Sequence, residues 1–124
     1  YDNCIIGCTC ENRGMAEERL PIFLQAPIQH QFIVCEPLLE YVDLREYLDK
    51  SIEFVIVGGE SGLDARVCDF DWVLKMSRDC AEKSIPFRFK QTGYNFIKDG
   101  KNYKIARKYQ HSQAKKAGLD TYLQ

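Results

Sequence analysis

Phe54-Val55-Ile56-Val57-Gly58-Gly59-Glu60-Ser61-Gly62 opens as a short, continuously apolar run and stops at glycines and a carboxylate. A run of that length, β-branched in its middle and lacking alternation, reads as a strand buried on both faces, the habit of parallel sheets. Working outward, residues 4–10, 31–35 and 86–90 have the same character. The segments between them have helical spacing. Across residues 15–26, Leu20, Phe23 and Leu24 recur on one side, Pro21 is placed to bend the helix and Pro27 closes it. Asp43 has the chemistry of an N-cap for a short helix over 43–50, with Leu44, Tyr47 and Leu48 turned inward. Asp69 or Asp71 caps a longer helix whose inner stripe is Trp72, Val73, Met76 and Cys80 and which ends near Ser84, before Pro86. The order β-α-β-α-β-α-β predicts an α/β fold, a parallel βα repeat covered on both faces or closed into a barrel.

Beyond Lys90 the pattern changes. Residues 94–97 and 103–105 flank Lys98-Asp99-Gly100-Lys101, and Asp-Gly is a strong hairpin turn signal. Residues 106–117 are good helix formers rich in basic side chains, and Gly118 supplies a stop. The reading is one α/β domain over 1–124: a four-stranded βα part over 1–93, then a hairpin with a basic helical extension over 94–124.

The 124 residues carry 17 basic and 18 acidic side chains, and 45% are apolar or aromatic, the balance of an ordinary globular protein. Apolar runs of a few residues fall far short of the roughly 20 needed for a membrane span. No basic lead, apolar block and cleavage site open the chain, so the expected place is the cytoplasm. Tyr1 is followed almost at once by a strand-like run, so the chain reads as a piece of something longer. The charge is polarised. Residues 1–87 hold 8 basic and 16 acidic groups, whereas 88–124 hold 9 and 2. Either the basic end meets an anionic partner such as nucleic acid, or the two ends pack on each other.

The six cysteines, Cys4, Cys8, Cys10, Cys35, Cys68 and Cys80, read as reduced, buried thiols, since no secretory signal accompanies them. Cys4, Cys8 and Cys10 alternate and share a strand face with Ile6, which argues for a buried face over a metal site. No metal ligand set is assigned.

In parallel α/β folds, functional residues gather at the carboxyl ends of the strands. Those ends carry Glu11 and Asn12, then Glu36, then Gly58, Gly59, Glu60 and Ser61, then Lys90 and Gln91. Glu36, Glu60 and Lys90 are the catalytic candidates, because carboxylates with a lysine among them can serve as acid, base or ligand. Glu11, Asn12, Gly58, Gly59, Ser61, Arg66 and Gln91 are the candidates for binding substrate or cofactor. A plain salt bridge between Glu36 and Lys90 is the alternative for that pair. The glycines fit a tight turn or an anion-binding backbone, but neither a phosphate loop nor a dinucleotide fingerprint. Arg66 is suited to an anionic ligand or to pairing with Asp64 or Asp69. Lys104, Arg107, Lys108, Lys115 and Lys116, interleaved with tyrosines, have the composition of a nucleic-acid surface or of a solvated helix face.

Several motifs together resemble a known family. These are Ile6-Gly7-Cys8-Thr9-Cys10-Glu11-Asn12, Ala16-Glu17-Glu18-Arg19-Leu20-Pro21, Cys35-Glu36-Pro37-Leu38-Leu39, Val55-Ile56-Val57-Gly58-Gly59-Glu60-Ser61-Gly62, Arg66 and Phe89-Lys90-Gln91. In this order the chain resembles the phage-associated family of unknown function named after phage gene products thirty-seven and sixty-eight. Its members look like radical S-adenosylmethionine proteins with a (β/α) barrel and an N-terminal three-cysteine motif. The resemblance implies that this chain is the C-terminal half of a TIM-type barrel enzyme and is inactive alone. S-adenosylmethionine and a 4Fe-4S cluster would belong to the complete protein. It further implies that the partner is the missing N-terminal half or, for the chain alone, a homodimer mate. The cluster cysteines are absent, Cys8 and Cys10 stand where the family has apolar strand residues, and Gly58-Gly59-Glu60 follows too late a strand to be the Gly-Gly-Glu element of radical enzymes. The alternative is a non-enzymatic module that binds nucleic acid or another phage component.

Overall fold

A computed structural model describes residues 5–49 and 51–121, so Cys4 and Lys50, each part of an expected element, lie outside the described residues. The elements run β1 (Ile5–Thr9), α1 (Arg13–Gln25), β2 (His30–Cys35), β3 (Ile52–Gly58), β4 (Cys68–Asp69), α2 (Phe70–Glu82), β5 (Phe87–Gln91), β6 (Asn95–Lys98), β7 (Lys101–Lys104) and α3 (Arg107–Lys116). The fold is mixed α/β. Four parallel strands form one sheet in the order β1-β2-β3-β5, and β4, β6 and β7 form a second, smaller sheet. No helix among the described residues is long and apolar enough to cross a membrane.

Local chemistry sets the elements. The Asn12 side chain accepts the Met15 N–H at 2.9 Å and caps α1, while Asp69 accepts the Asp71 N–H at 2.9 Å and caps α2. Pro21 is accommodated inside α1. Asp99 and Gly100 both take positive φ, 52° and 77°, which is the backbone an Asp-Gly hairpin turn needs, and β6 and β7 pair antiparallel across it.

Burial alternates along β2, with Gln31, Ile33 and Cys35 inward. Ile33 and Cys35 meet Cys8, Cys10, Val55, Val57, Phe87 and Phe89 of the neighbouring strands and Ala16, Leu20, Val73, Met76 and Cys80 of the helices in one core, while the Gln31 amide donates to the Phe23 carbonyl at 2.7 Å. The opposite face of the sheet carries Phe32, stacked on Phe54 at 4.6 Å and lying over Gly7, together with half-buried Val34 and Ile56. The sheet is therefore helix-covered on one face rather than two.

Two expectations are corrected. Residues 43–49 form only a single 3₁₀ turn, Arg45–Tyr47, not a helix. Asp43 accepts the Arg45 N–H as a cap would, but Leu48 turns extended (φ −86°, ψ 90°) and Asp49 bonds the Ser51 N–H in a local turn, so the helix is not continued. Leu44, Tyr47 and Leu48 are buried all the same. Ile6 does not share the burial of Cys8 and Cys10; it is 44% exposed at the start of an edge strand. The two-residue β4, which pairs with β6, carries no run long enough to announce itself in sequence.

The outer strands end differently. Along β5, Asp120 accepts the Phe89 N–H at 2.7 Å, Thr121 Oγ1 accepts the Phe87 N–H at 2.8 Å, and the Thr121 N–H bonds the Phe87 carbonyl. At the other end β1 pairs with β2 alone among the described residues and exposes Ile5 and Ile6.

Candidate functional site

The carboxyl ends of the four parallel strands hold a polar group built around Glu36. Its carboxylate accepts from the Lys90 ammonium at 3.3 Å and from the Gln91 amide at 2.5 Å. The β2–β3 loop is pinned over these ends, with the Leu38 N–H on the Gly58 carbonyl at 2.8 Å and the Leu39 N–H on the Glu11 carbonyl at 3.1 Å. The Glu36 side chain is 20% exposed and that of Lys90 43%, so the pair is reachable from solvent. Gly58 makes room for it, since a Cβ there would lie 2.8 Å from Glu36 Oε2.

Gly59 and Gly93 serve a different end. A Cβ on Gly59 would lie 2.3 Å from the Thr92 carbonyl oxygen, and one on Gly93 (φ 78°) 2.8 Å from the Glu60 nitrogen. The Gly59 N–H bonds the Gln91 carbonyl and the Tyr94 N–H the Glu60 carbonyl. The two chains past β3 and β5 thus lie backbone on backbone, which is the close approach these glycines permit.

Other rim residues turn away from Glu36. Glu60 accepts the Arg66 backbone N–H at 2.8 Å and its guanidinium at 2.8 and 3.2 Å, which closes the loop between them and holds the carboxyl down at about 2. Arg66 therefore pairs with Glu60 rather than with Asp64 or Asp69. Glu11 meets Arg19 at 3.5 Å, and Arg19 also bonds the Thr9 carbonyl at 2.6 Å. Asn12 is the α1 cap. The Ser61 carbonyl accepts from Gln110 at 3.4 Å, and Gln110, fully buried on α3, leaves its own Oε1 without a partner. The structure brings together Glu36, Lys90, Gln91 and Gly58, and holds Glu11, Asn12, Glu60 and Arg66 in separate local pairs.

The basic residues 104–116 are exposed. Lys104 bonds the Asn95 side chain and lies over Tyr94, Arg107 and Lys108 open α3, and Lys115 and Lys116 occupy its last turn. The buried stripe of α3 is Gln110 and Ala114. Among the described residues no cluster of three or more His, Cys, Asp or Glu is arranged to hold a metal ion. Cys8 and Cys10 lie with sulfurs 3.8 Å apart in the core, and burial raises the thiols of Cys10 and Cys35, keeping both protonated.

Sequence reasoning missed an aromatic cavity of about 290 Å³ between α2, the hairpin and α3. Phe70, Phe89 and Phe96 line it with ring centroids 6.0 to 6.3 Å apart, alongside Tyr103. The rings come from four separate elements, so no local spacing signals their meeting.

No curated protein and no solved structure matches the chain. The family described as Protein of unknown function (DUF5131) matches residues 1–121, and the chain belongs to it.

Proposed function

We propose that the chain is the C-terminal half of a (β/α) TIM-type barrel, one domain of βα repeats over 1–93 with a hairpin and basic helix over 94–124, and that Glu36, Lys90 and Gln91 grip a polar group of substrate or cofactor at its strand-end rim. The observation that carries this reading is the strand order. Each parallel strand lies beside its predecessor, β1-β2-β3-β5, as in a barrel, whereas a doubly wound sheet reverses at a switch point. The helix-free face, with Phe32, Val34 and Ile56, is then barrel interior, and the open β1 edge receives the N-terminal half or, in the isolated chain, a second copy, while the β5 edge, capped by Asp120 and Thr121, is the seam at which such a barrel stays open.

On this reading the complete protein is radical S-adenosylmethionine-like, as the resemblance to the phage gene product family implies. The 4Fe-4S cluster it implies does not fit this chain's described residues: the thiols of Cys10 and Cys35 are protonated in the core and Glu60 is tied to Arg66. The cluster belongs to residues elsewhere in the complete protein. The Glu36–Lys90 pair does suit the zwitterionic amino-acid end of S-adenosylmethionine, carboxylate to ammonium and ammonium to carboxylate.

The test is anaerobic reconstitution with iron and sulfide, in parallel on this chain and on the complete gene product, followed by S-adenosylmethionine binding. About four irons on the complete protein alone, with S-adenosylmethionine binding that Lys90→Met weakens, is the expected result. No iron on either form overturns the radical-enzyme reading.

One observation favours a second reading as a nucleic-acid module: Arg107, Lys108, Lys115 and Lys116 are all exposed on α3, beside Tyr109 at 51% exposure. Binding to single-stranded DNA that weakens with salt and falls on replacing Lys104, Arg107 and Lys108 by alanine supports it; salt-independent or absent binding discards it.

A further inference from the structure

A strongly charged cavity lies between α1, the 3₁₀ turn and α2, but its Asp43 and Arg45 already pair at 2.7 Å and its other charges are of both signs. The aromatic cavity near the C-terminal end of α3 is different in kind. Its floor and walls are Phe70, Phe89, Phe96 and Tyr103, and among the described residues the charged ones lining it are Lys98 and Lys116. Phe70 and Phe96 stand edge to face at 6.0 Å, leaving ring faces and edges turned toward the space. The Lys98 ammonium lies 5.0 Å from the Phe70 ring centroid, at the aromatic mouth. Neither lysine forms an ion pair among the described residues, and both are exposed. Gln113, also in the lining, offers an amide that can both donate and accept.

We propose that this cavity is a binding site for a nucleoside monophosphate, with the base among the phenylalanines and Tyr103 and the phosphate on Lys98 and Lys116. Aromatic walls take any base by its π-face. Two unpaired lysines match a phosphate monoester, which carries close to two negative charges near neutral pH, better than they match a single carboxylate. The volume of about 290 Å³ falls just below the range of about 300–1,000 Å³ for small-molecule sites, so a single nucleotide is the largest occupant it suits. Gln113 meets the hydrogen-bonding edge of the base. The ligand is a free nucleotide or the phosphorylated end of a strand, since both present the same chemistry. The inference rests on neither the barrel nor the radical-enzyme reading.

Calorimetric titration of the full chain with adenosine monophosphate, cytidine monophosphate, adenosine and ribose phosphate tests it, with a short phosphorylated oligonucleotide as the arm that separates strand end from free nucleotide. The expected result is saturable binding of the monophosphates, weaker by about tenfold or more for adenosine and for the Lys98→Gln/Lys116→Gln variant. Tyr103→Ala, at an exposed ring, weakens the monophosphates several-fold and leaves ribose phosphate unchanged. Absence of saturable monophosphate binding overturns the proposal. So does ribose phosphate binding as tightly as the nucleotides, or affinity indifferent to the two lysines.

Discussion

The Lys90 ammonium stands 3.3 Å from the Glu36 carboxylate, 54 residues away in sequence, because β2 and β5 flank β3 and the last residue of β3 is Gly58. The glycine next to it has another task, and the two separate under substitution. In Gly58→Ala the new methyl meets the movable end of Glu36, so the carboxylate shifts and the fold survives, at a cost below about 1 kcal/mol. In Gly59→Ala the methyl meets the Thr92 backbone, which cannot step aside, and the cost is about 1–3 kcal/mol. Urea unfolding of the two variants should order them so; equal losses would mean that the Thr92 backbone yields as readily as a side chain.

Much of the sheet was legible because its strands advertise themselves locally. The glycine stop after Val57, the Asp99-Gly100 turn and the Asn12 and Asp69 caps all act within a few residues of themselves. The 43–50 segment misled because its apolar spacing is helical and Asp43 does bond the Arg45 N–H as a cap would, while Leu48 turns extended and Asp49 bonds the Ser51 N–H, a local turn that spacing does not record. At the rim, chain order placed Glu36 beside Lys90 correctly, but pointed Glu60 to the same bowl. Glu60 has Arg66 six residues on, and a close bidentate partner outcompetes a shared cluster. The aromatic cavity was illegible, since Phe70, Phe89, Phe96 and Tyr103 converge only where α2, β5 of the first sheet and the hairpin of the second meet.

That Glu60–Arg66 pair sets an acid dependence. The Arg66 bonds hold the Glu60 carboxyl at about 2, below its ordinary 4.5, so the unfolded chain binds the proton first as pH falls. The pair's stabilisation is complete above about pH 4.5 and is lost between there and about pH 2. Arg66→Ala should flatten this part of the stability–pH curve, measured by urea midpoints at successive pH values. The effect is small, because Arg66 is largely solvent-exposed. An unchanged slope in the variant would show that other carboxylates carry the acid dependence.

The core thiols set a dependence of the opposite sign. Burial pushes Cys10, Cys68 and Cys80 up to about 12 from an ordinary 9.0, so the unfolded chain loses these protons first. Stability is full below about pH 9 and falls as pH rises from there toward 12. Native protein at pH 8 should leave Cys10, Cys35, Cys68 and Cys80 unlabelled by an aromatic disulfide reagent, and urea should expose them together. Rapid labelling of Cys35 in the native state would contradict its complete burial.

The last prediction concerns the edge that the chain closes on itself. Asp120 and Thr121 take the Phe89 and Phe87 N–H groups that a further strand would otherwise claim, so β5 is protected by side chains instead of by a ladder. Asp120→Ala leaves a buried strand's donor unpaired, at a cost of about 1–2 kcal/mol. It also frees an edge for pairing with another chain. Light scattering over a concentration series should show the variant self-associating more strongly than the parent. If instead stability falls with no change in association, the hydrogen bonds matter for folding alone, and the open β1 edge is left to account for any association the parent shows.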